Sequence, residues 1–192
     1  MTQLRKLKID RVYSGGEVSL AISDQIAAVL TPEFANPIAT SSWRSDKYEM
    51  QEAARKAGIN AVKQLKVGHL LTPEEEKQLA LWDFHVILKP INSSASIGVF
   101  ICHSVHEVKH ILATQKVIDL FGQPLNEFVV QEYLQGTEYF VDGFSFRGKH
   151  WISGVQEYQK KLFNDNLIYL YAEVVPFTEN QANICVDYVK QL

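Results

Sequence analysis

The sequence predicts an α+β fold in which helices flank antiparallel strands. Helical spacing of apolar residues and capping signals predict several short helices before and between the strands. Two apolar runs, 84–90 and 98–103, are separated by a short polar turn, which predicts a β-hairpin. Residues 137–158 alternate between apolar and polar around an Arg-Gly-Lys turn, which predicts a second hairpin.

The helices are predicted from their start and stop signals. Residues 18–30 place apolar side chains at helical spacing. Asp46 is a capping residue for a helix that Gly58 ends. Thr72 followed by proline begins another helix, which extends to about Trp82.

Two further helices follow strands. Ser104 with an acid three residues later predicts a helix to about Gln115, and Thr178 predicts a cap for a last helix. The runs 127–134 and 167–176 are predicted strands. The middle of the chain is therefore a small α+β layer, and the last part is antiparallel strands with a helix.

Composition limits the classes of function. The chain has 192 residues, of which 46% are hydrophobic, enough for one ordinary core or two small ones. A net charge of -3 argues against nucleic acid as the main partner. No apolar run approaches the roughly 20 residues that span a bilayer, so we expect no membrane contact and a cytoplasmic location. Cys102 and Cys185 lie in apolar stretches, which favours two reduced thiols over one disulfide.

Lys89 ends the first apolar run and precedes a proline and a loop of small residues, 92–98. A buried ammonium needs a partner, and small loop residues let a backbone approach a ligand closely. The alternative is a strand-end lysine whose ammonium reaches water. Because desolvation without an anion is costly, the pattern favours an anion site.

Lys47 lies in the first turn of the helix that Asp46 caps. Backbone N–H groups and the helix dipole favour an anion at this position. The alternative is an ordinary solvated lysine.

The order of three segments resembles the ATP-grasp superfamily. The segments are SDKYEMQEAARKAGI (45–59), VILKP (86–90) and VVQEYLQGTEYFVDGFS (129–145). The resemblance is closest to the carboxylate–amine ligases that join amino acids, and it covers roughly residues 12–180.

The resemblance implies a role for each matched residue. Lys47 would bind a nucleotide phosphate, and Lys89 would reach the α- and β-phosphates. Backbone groups of the hinge strand would read the adenine edge. A carboxylate, Glu138, would bind the ribose hydroxyls. The loop residues that would close over the phosphates are Ser93, Ser94, Ser96 and Gly98, and the hinge residues are Gln131, Glu132 and Leu134.

Two basic residues and the metal complete the implied site. Lys160 and Lys161 would meet the phosphate tail or the carboxylate substrate, although a solvated loop is the simpler interpretation of this pair. The family holds Mg²⁺ with a late acid and a Glu-x-Asn motif, and no glutamate here has Asn two positions later. We therefore assign no metal ligand and expect Mg²⁺ only in a full-length enzyme. His103, His106 and His110 do not make a convincing zinc set.

The resemblance also predicts three parts. Residues 1–64 would be a remnant of an N-terminal α/β domain with a linker helix, 65–134 the lid subdomain, and 135–192 an incomplete large subdomain. The implied function is the ATP-binding portion of a ligase that forms an acyl phosphate and then an amide, from small carboxylate and amine substrates such as amino acids. We expect it to be inactive alone and leave homo-oligomerisation open. The alternative is a non-catalytic nucleotide-binding or protein-interaction module.

Overall fold

The computed structural model describes residues 3–94, 96–119, 121–163 and 166–192. The α-helices are α1 (Leu20–Leu30), α2 (Lys47–Lys56), α3 (Pro73–Leu79), α4 (Val105–Thr114) and α5 (Asn180–Val189). The strands are β1 (Gln64–Val67), β2 (Val86–Pro90), β3 (Phe100–Cys102), β4 (Phe128–Glu132), β5 (Tyr139–Phe146), β6 (Lys149–Phe163) and β7 (Asn166–Val174). The predicted α+β class is confirmed.

The first sheet has four antiparallel strands in the order β1-β4-β2-β3. Successive side chains of a strand point to opposite faces, so β2 turns Val86 and Leu88 to one face and Ile87 and Lys89 to the other. Val86 and Leu88 are fully buried in the main core, together with residues of α3 and α4. The opposite face, with Lys89, is left open.

Helices α3 and α4 cover the core face. Thr72 and Glu75 form a complete capping box at the start of α3, and the Ser104 hydroxyl accepts a hydrogen bond from the Glu107 amide in α4. Both caps agree with the sequence prediction. Leu79 contributes a fully buried side chain from α3.

Helix α2 begins at Lys47 because Asp46 satisfies its first amides. The Asp46 carboxylate accepts from the amides of Tyr48 at 2.8 Å and Glu49 at 3.1 Å. The Lys47 amide donates to the carbonyl of Ile91 at 3.0 Å. This bond fixes the start of α2 beside the end of β2, and so brings Lys47 and Lys89 to the same region.

The second sheet has three antiparallel strands in the order β5-β6-β7, with α5 packed against it through Val155, Val175 and Ala182. Strand β6 is longer than the sequence predicted. Lys160 and Lys161 lie in paired strand rather than in a solvated loop, because the register continues past them to β7.

Three further details differ from the sequence prediction. Strand β1 was not predicted, because Gln64 and Lys66 interrupt its apolar pattern and its strand geometry depends on pairing with β4. The N-cap of α5 is Glu179, without a side-chain bond, so the predicted Thr178 cap is wrong. The sequence predicts α1 from apolar side chains at helical spacing, but the residue buried with Ala27 is the charged Asp24, whose carboxylate pairs with the guanidinium of Arg44 at 2.6 Å.

Both cysteines are free thiols, as expected, and Cys102 is fully buried. Burial raises the pKa of the Cys102 thiol to about 12, so this thiol is unreactive at neutral pH. No helix in the described part of the chain has the length and apolar character needed to cross a membrane.

Gly98→Ala should destabilise the fold by about 3 kcal/mol, from overpacking and backbone strain. Gly98 has φ of +70°, and a Cβ there would lie 2.5 Å from Val117 Cγ1 and 3.1 Å from Pro90 Cγ. Urea unfolding measures the change. Gly68→Ala is the matched control, because a Cβ at Gly68 meets nothing within 4 Å. Equal stabilities for the two variants would contradict this packing.

Candidate functional site

A cleft of about 840 Å³ separates the open face of the first sheet from the second sheet. One wall is the first sheet with the start of α2. The serine loop, defined as residues 92–94 and 96–98, lies at one end, and residues of β6 and β7 form the facing wall. The segment 133–138 joins the two walls. Both sheets and α2 therefore position the side chains of one concave site.

The floor of the cleft on the first sheet is a row of side chains from adjacent strands. Ile87 is paired with Ile101 on one side and with Gln131 on the other, and all three line the cleft. The exposed side chain of Leu134 lines the cleft beyond the end of β4. Among the described residues, the Leu134 amide has no hydrogen-bond partner. This end of the cleft offers apolar surface and a free backbone donor, which suits a flat heterocycle.

Lys47 extends from the first turn of α2 toward the serine loop. Its ammonium donates a hydrogen bond to the carbonyl of Ser93. Burial lowers the pKa of Lys47, although the carboxylates of Glu17 and Asp46 act in the opposite direction. Lys47 thus places a half-buried positive charge against the backbone of the loop.

Lys89 projects from β2 into the same cleft. Burial lowers the pKa of its ammonium below the ordinary value of 10.5, and the charges of Lys47 and Lys160 lower it further, while Glu138 acts in the opposite direction. The Lys89 ammonium has no ion-pair or hydrogen-bond partner within the described ranges. An anion in the cleft would stabilise this half-buried cation.

Lys160 reaches the cleft from β6 and forms an ion pair with Glu138. Burial lowers the pKa of Lys160, but hydrogen bonds to Glu138 and Tyr169 outweigh this effect and raise the pKa above its ordinary value. The ammonium also lies 4.3 Å from the ring centroid of Tyr169. Lys160 is therefore a stable positive charge opposite Lys47 and Lys89.

The structure brings most of the predicted site residues to this cleft. Ten of them line it: Lys47, Lys89, Ser93, Ser94, Ser96, Gln131, Glu132, Leu134, Glu138 and Lys160. Gly98 packs instead against Val117 and Pro90, and Lys161 is exposed on β6 outside the cleft lining. Ser96 adopts a φ of 58°, a left-handed conformation that is unusual for serine. Ala95, in the same loop, lies outside the described residues.

Several residues of the cleft were missed from the sequence. Ile87 shares a strand face with Lys89 by period two, and this signal was available. Tyr158 and Tyr169, which contact each other at 4.7 Å between ring centroids, depend on the register of β6 with β7. Glu17 reaches the cleft from the segment before α1, and no local pattern predicts its position.

Within the described ranges, no group of three or more His, Cys, Asp or Glu side chains is arranged to hold a metal ion. Among the described residues, those of the cleft therefore do not fit a protein-built Mg²⁺ cage.

Comparisons with known proteins agree with this architecture. A family model described as the ATP-grasp domain matches residues 82–192, more than half of the chain. Dapdiamide A synthase from Enterobacter agglomerans is 31% identical over 175 residues, which cover 88% of this chain and 40% of that protein. The chain thus spans about two fifths of the curated relative that it matches.

Solved structures show the same fold. The L-amino acid ligase from Bacillus licheniformis superposes with a TM-score of 0.69 at 16% identity, over 99% of this chain and 43% of that one. D-alanine–D-alanine ligase from Bacillus anthracis, complexed with ATP, gives a TM-score of 0.60 at 19% identity, over 96% of this chain and 61% of that one.

The chain belongs to the ATP-grasp family, whose members use ATP. Its relatives include amino acid ligases, so the resemblance found in the sequence is confirmed.

Lys89 should titrate below the ordinary lysine value of 10.5. Between the lowered folded pKa and 10.5 the unfolded chain binds more protons, so the free energy of unfolding should rise with pH over that window. Lysine Cε chemical shifts followed against pH measure the titration. Lys47→Met should raise the pKa of Lys89, because it removes a repelling charge. A Lys89 pKa at 10.5 that Lys47→Met does not change would contradict the convergence of these two ammonium groups.

Proposed function

We propose that this chain supplies the ATP-binding portion of an ATP-dependent carboxylate–amine ligase. The observation that carries the proposal is the convergence of Lys47, Lys89 and Lys160 on one cleft beside the serine loop. Three ammonium groups, one of them without a partner among the described residues, match the charge of a triphosphate. The names of the relatives, amino acid ligases, support the reaction class.

The nucleotide would lie with its base on the row Ile87, Ile101 and Gln131 and its phosphates toward Lys47 and Lys89. The backbone beyond β4, with the Leu134 amide that has no partner among the described residues, would meet the polar edge of the base. The hydroxyls and amides of the serine loop would donate to the phosphate oxygens.

Glu138 would bind the ribose. A carboxylate accepts hydrogen bonds from both hydroxyls of a diol, and Glu138 lies on the segment that joins the two walls of the cleft. In the free protein its carboxylate pairs with Lys160. Ribose would therefore compete with the ammonium of Lys160, which would be released toward the phosphates.

The chemistry requires positioning and charge neutralisation rather than a protein nucleophile. A carboxylate oxygen of the substrate attacks the γ-phosphorus. The bond from the γ-phosphorus to the bridging oxygen breaks, and ADP leaves with the electron pair. The amine then attacks the acyl carbon, inorganic phosphate leaves, and the amine proton passes to water. Lys47, Lys89 and Lys160 would hold the phosphate charge during the transfer.

The alternative proposal is a nucleotide-binding module without catalysis. It is favoured by one observation, the lack of a three-ligand metal group in the described part of the chain. Release of ADP from Mg·ATP in mixtures of amino acids distinguishes the two. Amino-acid-dependent release supports the ligase, whereas ATP binding with no such release supports the module. We also propose that the chain divides after residues 64 and 134 into an N-terminal remnant, a lid subdomain and an incomplete large subdomain.

Lys89→Met should weaken Mg·ATP binding about tenfold to a hundredfold, the effect of losing a charge-assisted hydrogen bond. Titration calorimetry measures the affinity. Lys116→Met is the matched control, since Lys116 is exposed and lies outside the cleft lining. Equal affinities for Lys89→Met and the wild type would remove Lys89 from the site.

Glu138→Leu should abolish discrimination between ATP and 2′,3′-dideoxy-ATP. The wild type is expected to bind ATP about tenfold more tightly, because the dideoxy compound leaves the carboxylate without its hydroxyl partners. Dissociation constants for both nucleotides measure the ratio. Retention of the wild-type ratio in Glu138→Leu would assign the ribose contact to another residue.

A further inference from the structure

Two buried or half-buried amides connect the floor of the cleft to helix α2. Gln131 is 6% exposed, and its Nε2 donates to Gln64 Oε1 at 2.9 Å. Gln64 Nε2 in turn donates to the carbonyl of Tyr48 and to Glu52 Oε1, each at 2.9 Å. The chain of bonds therefore runs from the cleft floor, through β1, to the first turns of α2.

The strand register explains why these side chains meet. Gln64 and Gln131 are direct partners in the antiparallel pair of β1 and β4, so their side chains lie side by side on one face of the sheet. On the other side of Gln131 stands Ile87, which also lines the cleft. Gln131 is therefore the polar member of an otherwise apolar floor.

The partners of Gln64 fix the orientation of both amides. A carbonyl and an ionised carboxylate can only accept hydrogen bonds, so Tyr48 and Glu52 require the Nε2 end of Gln64. The Oε1 end of Gln64 must then face Gln131, which has to present its own Nε2. The Oε1 atom of Gln131, together with its second Nε2 hydrogen, is left for a ligand in the cleft.

That orientation matches one class of purine base. A glutamine amide pairs with adenine by accepting from the 6-amino group and donating to N7. Guanine and hypoxanthine carry an oxygen acceptor at position 6, which would face the Oε1 atom of Gln131 without a hydrogen between them. A Gln131 amide held in this orientation distinguishes 6-amino from 6-oxo purines.

We propose that Gln64 is a positioning residue that holds the Gln131 amide in the orientation for a 6-aminopurine and ties the base slot to α2. This inference rests on the proposed function, because it takes the ligand of the cleft to be ATP. The same side chain binds the carbonyl of Tyr48, the neighbour of Lys47. Recognition of the base and placement of the phosphate lysine are thereby coupled through Gln64.

The test compares ATP with inosine triphosphate, which has oxygen at position 6. Dissociation constants are measured by calorimetry for the wild type, Gln64→Met, Gln131→Met and the double variant. The wild type should prefer ATP at least about tenfold. Gln64→Met and Gln131→Met should each lower that ratio about fivefold to tenfold. The double variant should lower it no further than either single variant.

Two additional variants separate orientation from stability. Gln115→Met is the control, since Gln115 is exposed at the end of α4 and should leave the ratio unchanged. Glu52→Gln replaces a carboxylate that can only accept hydrogen bonds by an amide of the same size that can also donate. It should therefore lower the preference for ATP over inosine triphosphate about twofold to threefold. It also tests orientation if Gln64→Met does not fold.

The outcomes distinguish the role of Gln64 from the proposed binding of ATP. A ratio that falls in Gln131→Met but stays at the wild-type value in folded Gln64→Met and in Glu52→Gln would overturn the role of Gln64. Strictly additive effects of Gln64→Met and Gln131→Met would overturn it as well. A wild type that binds ATP and inosine triphosphate equally would overturn base selection by this network, with the proposed function intact. A wild type that binds neither would overturn the proposed function and, with it, this inference.

Discussion

The main physical constraint on this structure is the free-energy cost of placing three lysine ammonium groups in one half-buried cleft. Lys47, Lys89 and Lys160 come from three different elements, and the pKa of Lys89 is lowered by burial and by the other two charges. Burial costs Lys47 and Lys89 hydration, and Lys89 is also repelled by the other two charges, whereas the ion pair with Glu138 offsets the burial of Lys160. The arrangement is understandable when an anion completes it, and the cleft leaves room for one.

The rest of the fold holds these charges in place. The Asp46 cap starts α2 at Lys47, and the bond from the Lys47 amide to the Ile91 carbonyl fixes that start beside β2. The core under the first sheet is formed by alternate residues of β2, and the other residues, Ile87 and Lys89, are thereby directed to the cleft. Packing on one face of the sheet thus directs Ile87 and Lys89 into the cleft on the other face.

A large part of the fold and of the candidate site could be predicted from the sequence, because the signals for it are local. Capping residues predicted the starts of α2 and α3, and an apolar strand that ends in Lys89 pointed to an anion site. Two kinds of feature could not be predicted from local signals in the sequence. Strand β1 depends on pairing with the distant strand β4, and the extension of β6 through Lys160 depends on pairing with β7, the next strand of the chain; local propensity encodes neither. The Gln64–Gln131 contact joins residues 67 positions apart and follows from register alone.

Gly98 and Lys161 are the two predicted site residues that lie outside the cleft lining. The resemblance implies Gly98 as part of the loop that would close over the phosphates, and Lys161 as one of two basic residues that would meet the phosphate tail or the carboxylate substrate. Lys160 lines the cleft, whereas Lys161, the next residue of β6, is exposed outside the lining. Gly98 is required where the loop passes against Val117, a contact that involves a segment after α4.

In the proposed complex, ammonium groups from both walls of the cleft hold one triphosphate. The most direct test of this mode of binding is a titration of lysine-labelled protein with a non-hydrolysable Mg·ATP analogue, followed by NMR of the lysine side chains. The side-chain resonances of Lys47, Lys89 and Lys160 should shift, and those of Lys116 and Lys161 should stay unchanged. Binding of the analogue with no response from Lys47 and Lys89 would contradict this mode of binding.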